Sequence, residues 1–274
     1  MNFHSYRWSL RVCAAMLICI ARVATGQEAG TPEPKTPPFS GFFTDVKEYV
    51  TAPVRWDSTD WMYFGGTIAA IAAAHHYDDQ LRRHFTIGPY AGNLTSSSTH
   101  DLQDAAPTVA AVAGTWLYSG LVRNSNGQRE TGEMLEAGVL ATAATYAMKF
   151  AVRREGPQDT ADSSKFGGGS NTFPSYHATL AFSVGTVLAE SGNDDVRWIR
   201  RLLGYGLGAV TSYERLKHNA HWLSDTVAGA ALGISTAHFV MNRHGTSQAG
   251  ASAHINVIPL NGGGAMLTYS TTLP

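Results

Sequence analysis

The sequence predicts an all-α fold, a helical bundle of about six helices with a short C-terminal β-hairpin. Six apolar runs of helical length follow one another from Trp61 onward, separated by short polar stretches. They are rich in Ala and Gly and contain few of the β-branched clusters that are typical of strands. With 274 residues and 44% hydrophobic composition, the chain can bury one substantial core, so we expect a single folded domain.

The predicted helices contain, in chain order, the runs WMYFGGTIAAIAAA, AAPTVAAVAGTWLYSGLV, MLEAGVLATAATYAMKFAV, HATLAFSVGTVLAE, RRLLGYGLGAVTSY and DTVAGAALGISTAHFVMN. No repeat of fixed period relates them. After the last run, two short β-prone stretches flank the residues NGGG at 261–264. This pattern predicts a hairpin, which we expect to pack on the bundle as a surface flap.

Two of the apolar runs approach the length of a membrane-spanning helix. Residues 105–122 are uncharged for eighteen positions and residues 226–242 for seventeen, with His238 counted as neutral. Ala and Gly, however, supply little insertion energy compared with Leu, Ile and Phe, and the mean hydropathy of the chain is -0.12. We therefore favour a bundle that is soluble or peripheral to a membrane over one that crosses it.

The first 45 residues are interpreted as an export signal and a tether. Residues 1–26 have the basic, apolar and small-residue regions of a signal peptide, although Arg22 near the expected cleavage site leaves an uncleaved anchor as the alternative. Residues 27–45 are rich in Pro, Gly and small polar residues and predict a disordered linker. Residues 46–274 then form the folded domain. We expect export to the periplasm or cell envelope, with association at a membrane surface left open.

Charge and cysteine content exclude several classes of protein. Cys13 and Cys19 both lie in the signal segment, so we expect a mature chain without a disulfide or a Cys-ligated metal. Removal of residues 1–26 takes away three arginines and no acid, which changes the balance from 20 basic against 21 acidic residues to 17 against 21. This acidic balance argues against a nucleic-acid-binding protein.

Polar residues collect at three predicted helix ends. In NTFPSYHATLAFSVG, Ser175 is expected to cap a helix that carries His177 in its first turn. In ERLKHNAHWLSD, His221 precedes a helix opened by Asp225, where free N–H groups and the positive dipole end favour an anion. In KFAVRREGP, basic residues lie where a third helix ends before Pro157. Each cluster alone has a structural explanation, but the three together predict an oxyanion site.

Two of these clusters resemble motifs of the type-2 phosphatidic acid phosphatases, a family that shares its site with bacterial non-specific acid phosphatases and vanadium haloperoxidases. The family motif Pro-Ser-x-His is met by residues 174–177. A second motif has Ser-Arg, then His after five residues and Asp four positions further on. It is met by Arg215, His221 and Asp225, with Glu214 in the place of Ser. The resemblance extends over about residues 60–245.

The remaining motif of the family is Lys followed after six residues by Arg-Pro. Lys149 and Pro157 are in register with it, whereas Gly156 stands where the family has its arginine. Arg154 matches a frequent additional arginine two places earlier. The resemblance therefore implies that Arg154 reaches the phosphate in its stead.

The resemblance implies three catalytic residues. His221 attacks phosphorus, Asp225 holds the other ring N–H of that histidine, and His177 protonates the leaving oxygen and then activates water. The phosphate oxygens are expected to be bound by Lys149, Arg154, Ser175 and Arg215. Neither a cofactor nor a metal ion is expected.

The function implied is metal-independent hydrolysis of phosphate monoesters through a phosphohistidine, with a phosphorylated lipid, a prenyl diphosphate or a small phosphate ester as substrate. One alternative is a vanadate-dependent haloperoxidase, because the same residues bind vanadate. Another is a non-catalytic member that binds phosphate or a lipid headgroup, which Gly156 favours. A metal site at His75, His76, Asp78 and Asp79 is weighed against a polar helix end, and the latter is favoured because adjacent histidines point to different sides of a helix.

Overall fold

The computed structural model of the protein describes residues 36–87, 98–192, 194–245, 253–260 and 264–271. Within these residues the fold is mostly helical, as predicted. The α-helices are α1 (Phe42–Thr51), α2 (Ser58–His76), α3 (Asp78–Thr86), α4 (Ser98–Leu121), α5 (Ser125–Val152), α6 (Tyr176–Glu190), α7 (Arg197–Lys217) and α8 (Leu223–Arg243). Short 3₁₀ turns, Ala52–Arg55 and Asp194–Val196, precede α2 and α7.

The predicted count of about six helices is not confirmed, because the described part of the chain contains eight. The six apolar runs correspond to α2 and to α4 through α8. The additional helices, α1 and α3, have ten and nine residues, and they alternate apolar with charged side chains. Neither contains a long apolar run, which is the pattern that the prediction relied on.

Two strands lie near the carboxyl end of the chain. β1 (Ala253–Leu260) and β2 (Gly264–Thr271) pair antiparallel, with Ala253 opposite Thr271 and Leu260 opposite Gly264. Residues 261–263 between them lie outside the described part, and so do the side chains of both strands. The predicted hairpin and its packing on the bundle therefore stay a prediction.

Side chains that accept hydrogen bonds from free N–H groups define where several helices begin. Asp57 caps α2, because its Oδ1 accepts from the N–H groups of Thr59 at 2.8 Å and Asp60 at 2.9 Å. The Asp57 N–H in turn donates to Asp60 Oδ2, which completes a capping box. Asn124 caps α5 in the same way through its Oδ1. These caps fix the two helices independently of the packing of their apolar faces.

The core of the bundle surrounds α6, which packs against α5, α7 and α8. Its apolar side chains interlock with those of α5 and α8, among them Met134, Leu140, Val184, Val187, Val240 and Met241. The contact of α6 with α7 is unusually close at Gly185 and Gly204, because a Cβ on either residue would overlap the carbonyl oxygen of the other. Close backbone contact of this kind leaves the two helices little freedom to shift.

None of the helices within the described ranges combines the length and the apolar character that crossing a membrane requires.

The predicted signal peptide, residues 1–26, lies outside the described residues, as does the predicted linker up to residue 35. The rest of that linker contacts the bundle. Thr36 Oγ1 lies 2.9 Å from His244 Nδ1, and the Phe39 N–H donates to Glu136 Oε2 over 2.6 Å. Helix α1 begins at Phe42, still inside the predicted linker, and the domain boundaries stay a prediction.

Candidate active site

The amino-terminal ends of α6 and α8 lie side by side. The Ser175 N–H donates to the backbone carbonyl of Asp225 over 3.0 Å. Gly229, one turn into α8, permits this approach, because a Cβ there would lie 2.7 Å from the Ser175 carbonyl oxygen. The two helix ends that the sequence indicates as an anion site are therefore adjacent in the fold.

His221 lies in the turn that joins α7 to α8 and is buried. Its Nδ1 is 3.5 Å from Asp225 Oδ2, at the outer limit of a hydrogen bond. Burial lowers the pKa of His221 to about 4, Asp225 opposes this shift, and the positive charges of Arg215 and Lys149 add to it. The imidazole is therefore neutral near pH 7, which is the form that a nucleophile needs.

Asp225 has no exposed surface and makes hydrogen bonds on both of its oxygens. Oδ2 accepts from the Trp222 N–H at 3.1 Å and so caps α8, while Oδ1 accepts from Arg154 Nη1 at 2.5 Å. Burial would raise the pKa of Asp225, but its contact with His221 and the charge of Arg154 outweigh burial and lower the pKa below the usual value. An ionised Asp225 can hold a proton on His221 Nδ1, which leaves Nε2 as the nucleophilic nitrogen.

Two cations border the histidine. Lys149, in the last turn of α5, donates from Nζ to the Asn171 carbonyl at 2.5 Å. Burial lowers its pKa to about 8, Asp225 raises it and Arg215 lowers it. Arg215, near the end of α7, donates from Nη1 to Asp104 Oδ2 at 2.8 Å. A neutral imidazole with two nearby cations suits a ligand that carries negative oxygens.

Ser175 and His177 complete the group at the start of α6. Ser175 is fully buried, and its hydroxyl finds no hydrogen-bond partner among the described residues, although the residue occupies the N-cap position. Buried hydroxyls are normally paired, so this one is available to an incoming oxyanion. His177 is half-buried in the first turn of α6, with its ring 5.4 Å from the ring of Tyr176.

Arg154 follows α5 and is almost completely buried, on the side of Asp225 remote from His221. Its Nη1 donates to Asp225 Oδ1 and to Ser224 Oγ, at 2.5 and 2.7 Å. Nη2 donates to Asp78 Oδ2 at 2.7 Å, and both Nη2 and Nε donate to the Ser163 carbonyl. These bonds use all five guanidinium N–H groups. Arg154 therefore has no donor left for a phosphate. This differs from the phosphate-binding role expected from the sequence.

The comparison with known proteins fits this arrangement. Residues 132–249 match the family model of the PAP2 superfamily. This matched segment covers less than half of the chain. Over 114 residues it is 30% identical to the Lipid A 1-phosphatase of Porphyromonas gingivalis, a match that covers 42% of this chain and 21% of that protein. The matched part is thus about a fifth of the relative's length. No solved structure matches the chain.

The PAP2 match confirms the family resemblance seen in the sequence. The matched segment contains all seven residues that the resemblance implied for the site: Lys149, Arg154, Ser175, His177, Arg215, His221 and Asp225. The individual roles of these residues stay predictions, and for Arg154 its contacts point to a different role.

Gly156 occupies the place of an arginine in the first PAP2 motif and is buried. A Cβ at this position would lie 2.6 Å from Thr172 Cγ2, so a larger residue requires Thr172 to move. Thr172 is in turn held by two hydrogen bonds, from its N–H and its hydroxyl, to the Arg154 carbonyl. Of the residues expected to bind phosphate, Lys149 and Arg215 are therefore the remaining candidates to supply positive charge.

Three buried polar residues next to the PAP2 motifs were not assigned to the site from the sequence: Asp78, Asp104 and Ser224. Asp78 begins α3 and accepts from the Ser224 N–H at 2.8 Å and the Ser224 hydroxyl at 2.6 Å. Asp104 of α4 pairs with Arg215. Asp78 appeared in the sequence only as part of a polar helix end, and no motif spacing connects it to residues about 76 and 146 positions away.

A separate group of possible metal ligands lies at the other end of α5 and α8. Asp45, Glu136 and His244 are buried, and one ligand atom from each lies within 4.8 Å of the others. His75 and Asp78, which the sequence analysis weighed as a metal site, contact each other at 2.8 Å and lie around the guanidinium of Arg154. The interpretation of HHYDD as a polar helix end stays a prediction.

Proposed function

We propose that the protein is a phosphatase that hydrolyses phosphate monoesters, with lipid phosphates as its substrate class, through a phosphohistidine on His221. The observation that carries this proposal is a buried, neutral histidine with one nitrogen toward an ionised carboxylate and two cations nearby. The PAP2 match supports the reaction class, and the relative named Lipid A 1-phosphatase supports a lipid substrate.

In the first step, the lone pair of His221 Nε2 forms a bond to phosphorus while the bond from phosphorus to the leaving oxygen breaks. Asp225 keeps the proton on Nδ1 and balances the positive charge that develops on the ring. His177, protonated, gives its proton to the leaving alkoxide, which departs as an alcohol. The non-bridging oxygens are bound by Lys149, Ser175 and Arg215.

In the second step, His177 is neutral and accepts a proton from a water molecule. The oxygen of that water attacks phosphorus, and the bond from phosphorus to His221 Nε2 breaks. Inorganic phosphate leaves, and both histidines return to their starting forms. The cycle is balanced with water as its only co-reactant, and its proton transfers suit side chains that titrate near neutral pH.

Apolar side chains near the phosphate-binding residues support a lipid substrate. Phe150 directly follows Lys149 and is 82% exposed. Tyr146, one turn earlier on α5, is also exposed, and its ring lies 5.9 Å from that of Tyr176 beside the site. Exposed aromatic groups at the edge of a polar site suit a ligand with a charged head and an apolar tail.

The same proposal places the protein at a membrane surface of the periplasm or cell envelope. The outer faces of α4 and α7 expose large apolar side chains, including Trp116, Leu117, Leu121, Trp198 and Leu202. Exposed apolar side chains in such numbers are typical of surfaces that interact with membranes or proteins. Contact of the exposed Phe150 and Tyr146 beside the site with a membrane would bring the site to phosphate groups at the lipid headgroups.

The test is phosphate release from p-nitrophenyl phosphate and from a short-chain phosphatidic acid in detergent, with chelator present. We expect wild type to act on both, with the higher kcat/KM on the lipid, and His221→Ala to lower kcat/KM by about 10⁴-fold or more. His76→Ala, which removes an exposed histidine at the end of α2, is the matched control and should retain activity. Equal turnover by wild type and His221→Ala would contradict the proposal.

A non-catalytic phosphate binder is the second candidate, and Gly156 is the observation that favours it. A charge-assisted hydrogen bond contributes about 1.5 to 3 kcal/mol, so the missing arginine should reduce transition-state binding roughly ten- to a hundredfold. A reduction of that size weakens an enzyme without abolishing its activity. Two results together would favour the non-catalytic binder. Folded wild type would release no phosphate from either substrate, and calorimetry would show that it binds inorganic phosphate.

A further inference from the structure

We propose that Arg154 and Asp78 form a positioning pair that holds the Asp225 carboxylate against His221, and that Arg154 does not bind the phosphate. This inference deepens the proposed function and rests on it. It adds to the site a residue of α3, Asp78, that lies outside the segment matched by the PAP2 family model.

The guanidinium of Arg154 joins two buried carboxylates. Nη1 binds Asp225 Oδ1 at 2.5 Å and Nη2 binds Asp78 Oδ2 at 2.7 Å, and none of the three side chains is more than 1% exposed. The planar fork of an arginine fixes both the distance and the angle of a carboxylate bound to it. Because Oδ1 of Asp225 is held in this way, Oδ2 is directed to the Trp222 N–H and His221 Nδ1.

Asp78 also fixes the beginning of the helix that carries Asp225. Both of its oxygens are used there, Oδ1 by the Ser224 N–H and Oδ2 by the Ser224 hydroxyl. His75 Nδ1, one turn before Asp78, lies 2.8 Å from the same Oδ2. Asp78 therefore connects the start of α3 to the first turn of α8 and sets the position of Asp225 through the backbone as well as through Arg154.

Two aromatic rings lie beside the guanidinium of Arg154, and the burial of the pair keeps its electrostatic interactions strong. The guanidinium carbon of Arg154 lies 5.3 Å from the centre of the Phe166 ring and 5.5 Å from that of Trp222. Trp222 is almost completely buried and anchored by its indole N–H to the Glu155 carbonyl at 2.9 Å. With water excluded, loss of either carboxylate or of the guanidinium leaves an uncompensated buried charge.

Removal of the Arg154 charge should change how the His221–Asp225 pair titrates. The cation stabilises the Asp225 carboxylate, so without it both members of the pair hold protons more strongly. Loss of the Asp78 charge should lower the proton affinity of the His221–Asp225 pair, because the positive charge of Arg154 is then balanced by Asp225 alone. The charged and titratable groups on the surrounding elements are Lys149 of α5, His177 of α6, Arg215 of α7 with Asp104 of α4, and His75 of α2.

The experiment compares Arg154→Gln, Arg154→Lys and Asp78→Asn with wild type for kcat/KM against pH and for competitive inhibition by inorganic phosphate. For Arg154→Gln we expect kcat to fall ten- to a hundredfold, the acid limb to rise by about one pH unit, and phosphate inhibition to stay within about twofold of wild type. For Asp78→Asn we expect kcat to fall about tenfold without a rise of the acid limb. The double variant should lose less than the product of the two effects.

Arg154 would instead be a phosphate ligand if Arg154→Gln weakened phosphate inhibition about tenfold and left the acid limb in place. A purely structural role would lower the denaturation midpoint while folded variants kept the wild-type kcat and pH profile. If Arg154→Gln does not fold, Arg154→Lys and Asp78→Asn decide the matter. The lysine keeps the charge but not the fork, so kcat should fall while the acid limb stays near wild type.

Failure of the proposed function is distinguishable from failure of this inference. A wild type that folds but releases no phosphate contradicts the proposed function. The positioning role of Arg154 and Asp78 is then tested by an NMR titration of His221 in protein labelled with ¹⁵N-histidine. We expect the pKa of His221 to rise in Arg154→Gln, because the charge of Asp225 is no longer offset. An unchanged pKa of His221 would contradict the positioning role.

Discussion

Within the described ranges, two histidine–carboxylate pairs have both partners buried. They lie at opposite ends of α8, and they differ in how many ring nitrogens of the histidine are hydrogen-bonded. His244 follows α8, with Nδ1 2.9 Å from Thr36 Oγ1 and Nε2 2.8 Å from Glu136 Oε2. His221 precedes α8, with Nδ1 3.5 Å from Asp225 and no hydrogen bond to Nε2 from any described residue. One ring is bonded on both sides and ties segments together, whereas the other has a nitrogen available for chemistry.

The surroundings of the two pairs reinforce this difference. Around His244, Arg129 donates to the carbonyls of Thr36 and of His244 itself, so that the amino-terminal segment is fastened to the end of α8. Around His221, the nearby cations Lys149 and Arg215 disfavour a proton on the ring. The same two residue types therefore produce a structural contact in one place and, in the proposed mechanism, a nucleophile in the other, according to the charges and bonds around them.

The largest expected effect is a loss of activity when the carboxylate beside His221, but not the one beside His244, is changed. Asp225→Asn keeps the shape of the side chain but removes the charge that holds the proton on His221 Nδ1. We expect kcat to fall by about 10⁴-fold, by analogy with loss of the acid in a catalytic triad. The measurement is phosphate release by folded protein, with circular dichroism as the control for structure. A decrease of less than tenfold would mean that Asp225 does not set the tautomer of His221.

The second-largest expected effect is on stability, and it comes from the matching substitution in the other histidine–carboxylate pair. Glu136→Gln makes the same chemical change next to His244, where the carboxylate is fully buried and accepts from the Phe39 N–H. We expect the free energy of unfolding to fall by about 3 kcal/mol, because a buried charged contact is broken, while kcat/KM stays within about twofold of wild type. Urea denaturation and the phosphatase assay measure the two quantities. A loss of activity similar to that of Asp225→Asn would contradict the division of roles between the two ends.

Much of the fold and part of the site could be predicted from the sequence, because these depend on local patterns. The Ala- and Gly-rich runs predicted a mostly helical chain, and the motif residues from Lys149 to Asp225 predicted the family whose model matches residues 132–249. Helices α1 and α3 were missed because short amphipathic segments lack a long apolar run.

The less predictable features arise from contacts between distant residues. Arg154 lies in register with a motif, yet its bonds to Asp78 and Asp225 follow from packing across 76 and 71 positions. The contact of Glu136 with His244 spans 108 positions and has no motif at all. The approach of α6 to α8 at Gly229 depends on a missing side chain, and a glycine in a sequence does not identify the helix that it will contact.

The smallest expected effect concerns the response of stability to acid. The pKa of His221 is about 4 in the folded protein, because burial disfavours its charged form, and about 6.5 in an unfolded chain. Between these values the unfolded chain binds a proton that the native protein does not. The contribution of His221 therefore lowers the free energy of unfolding as the pH falls from 6.5 to 4, and it levels off below that.

Replacement of His221 by Gln removes this contribution. We expect the variant to lose less stability than wild type between pH 7 and pH 4.5, with a difference on the order of 2 kcal/mol in urea denaturation. An equal loss in both proteins would mean that burial does not keep His221 neutral. The imidazole would then be protonated as readily as an exposed one, and the availability of its Nε2 would no longer distinguish it from His244 under mildly acidic conditions.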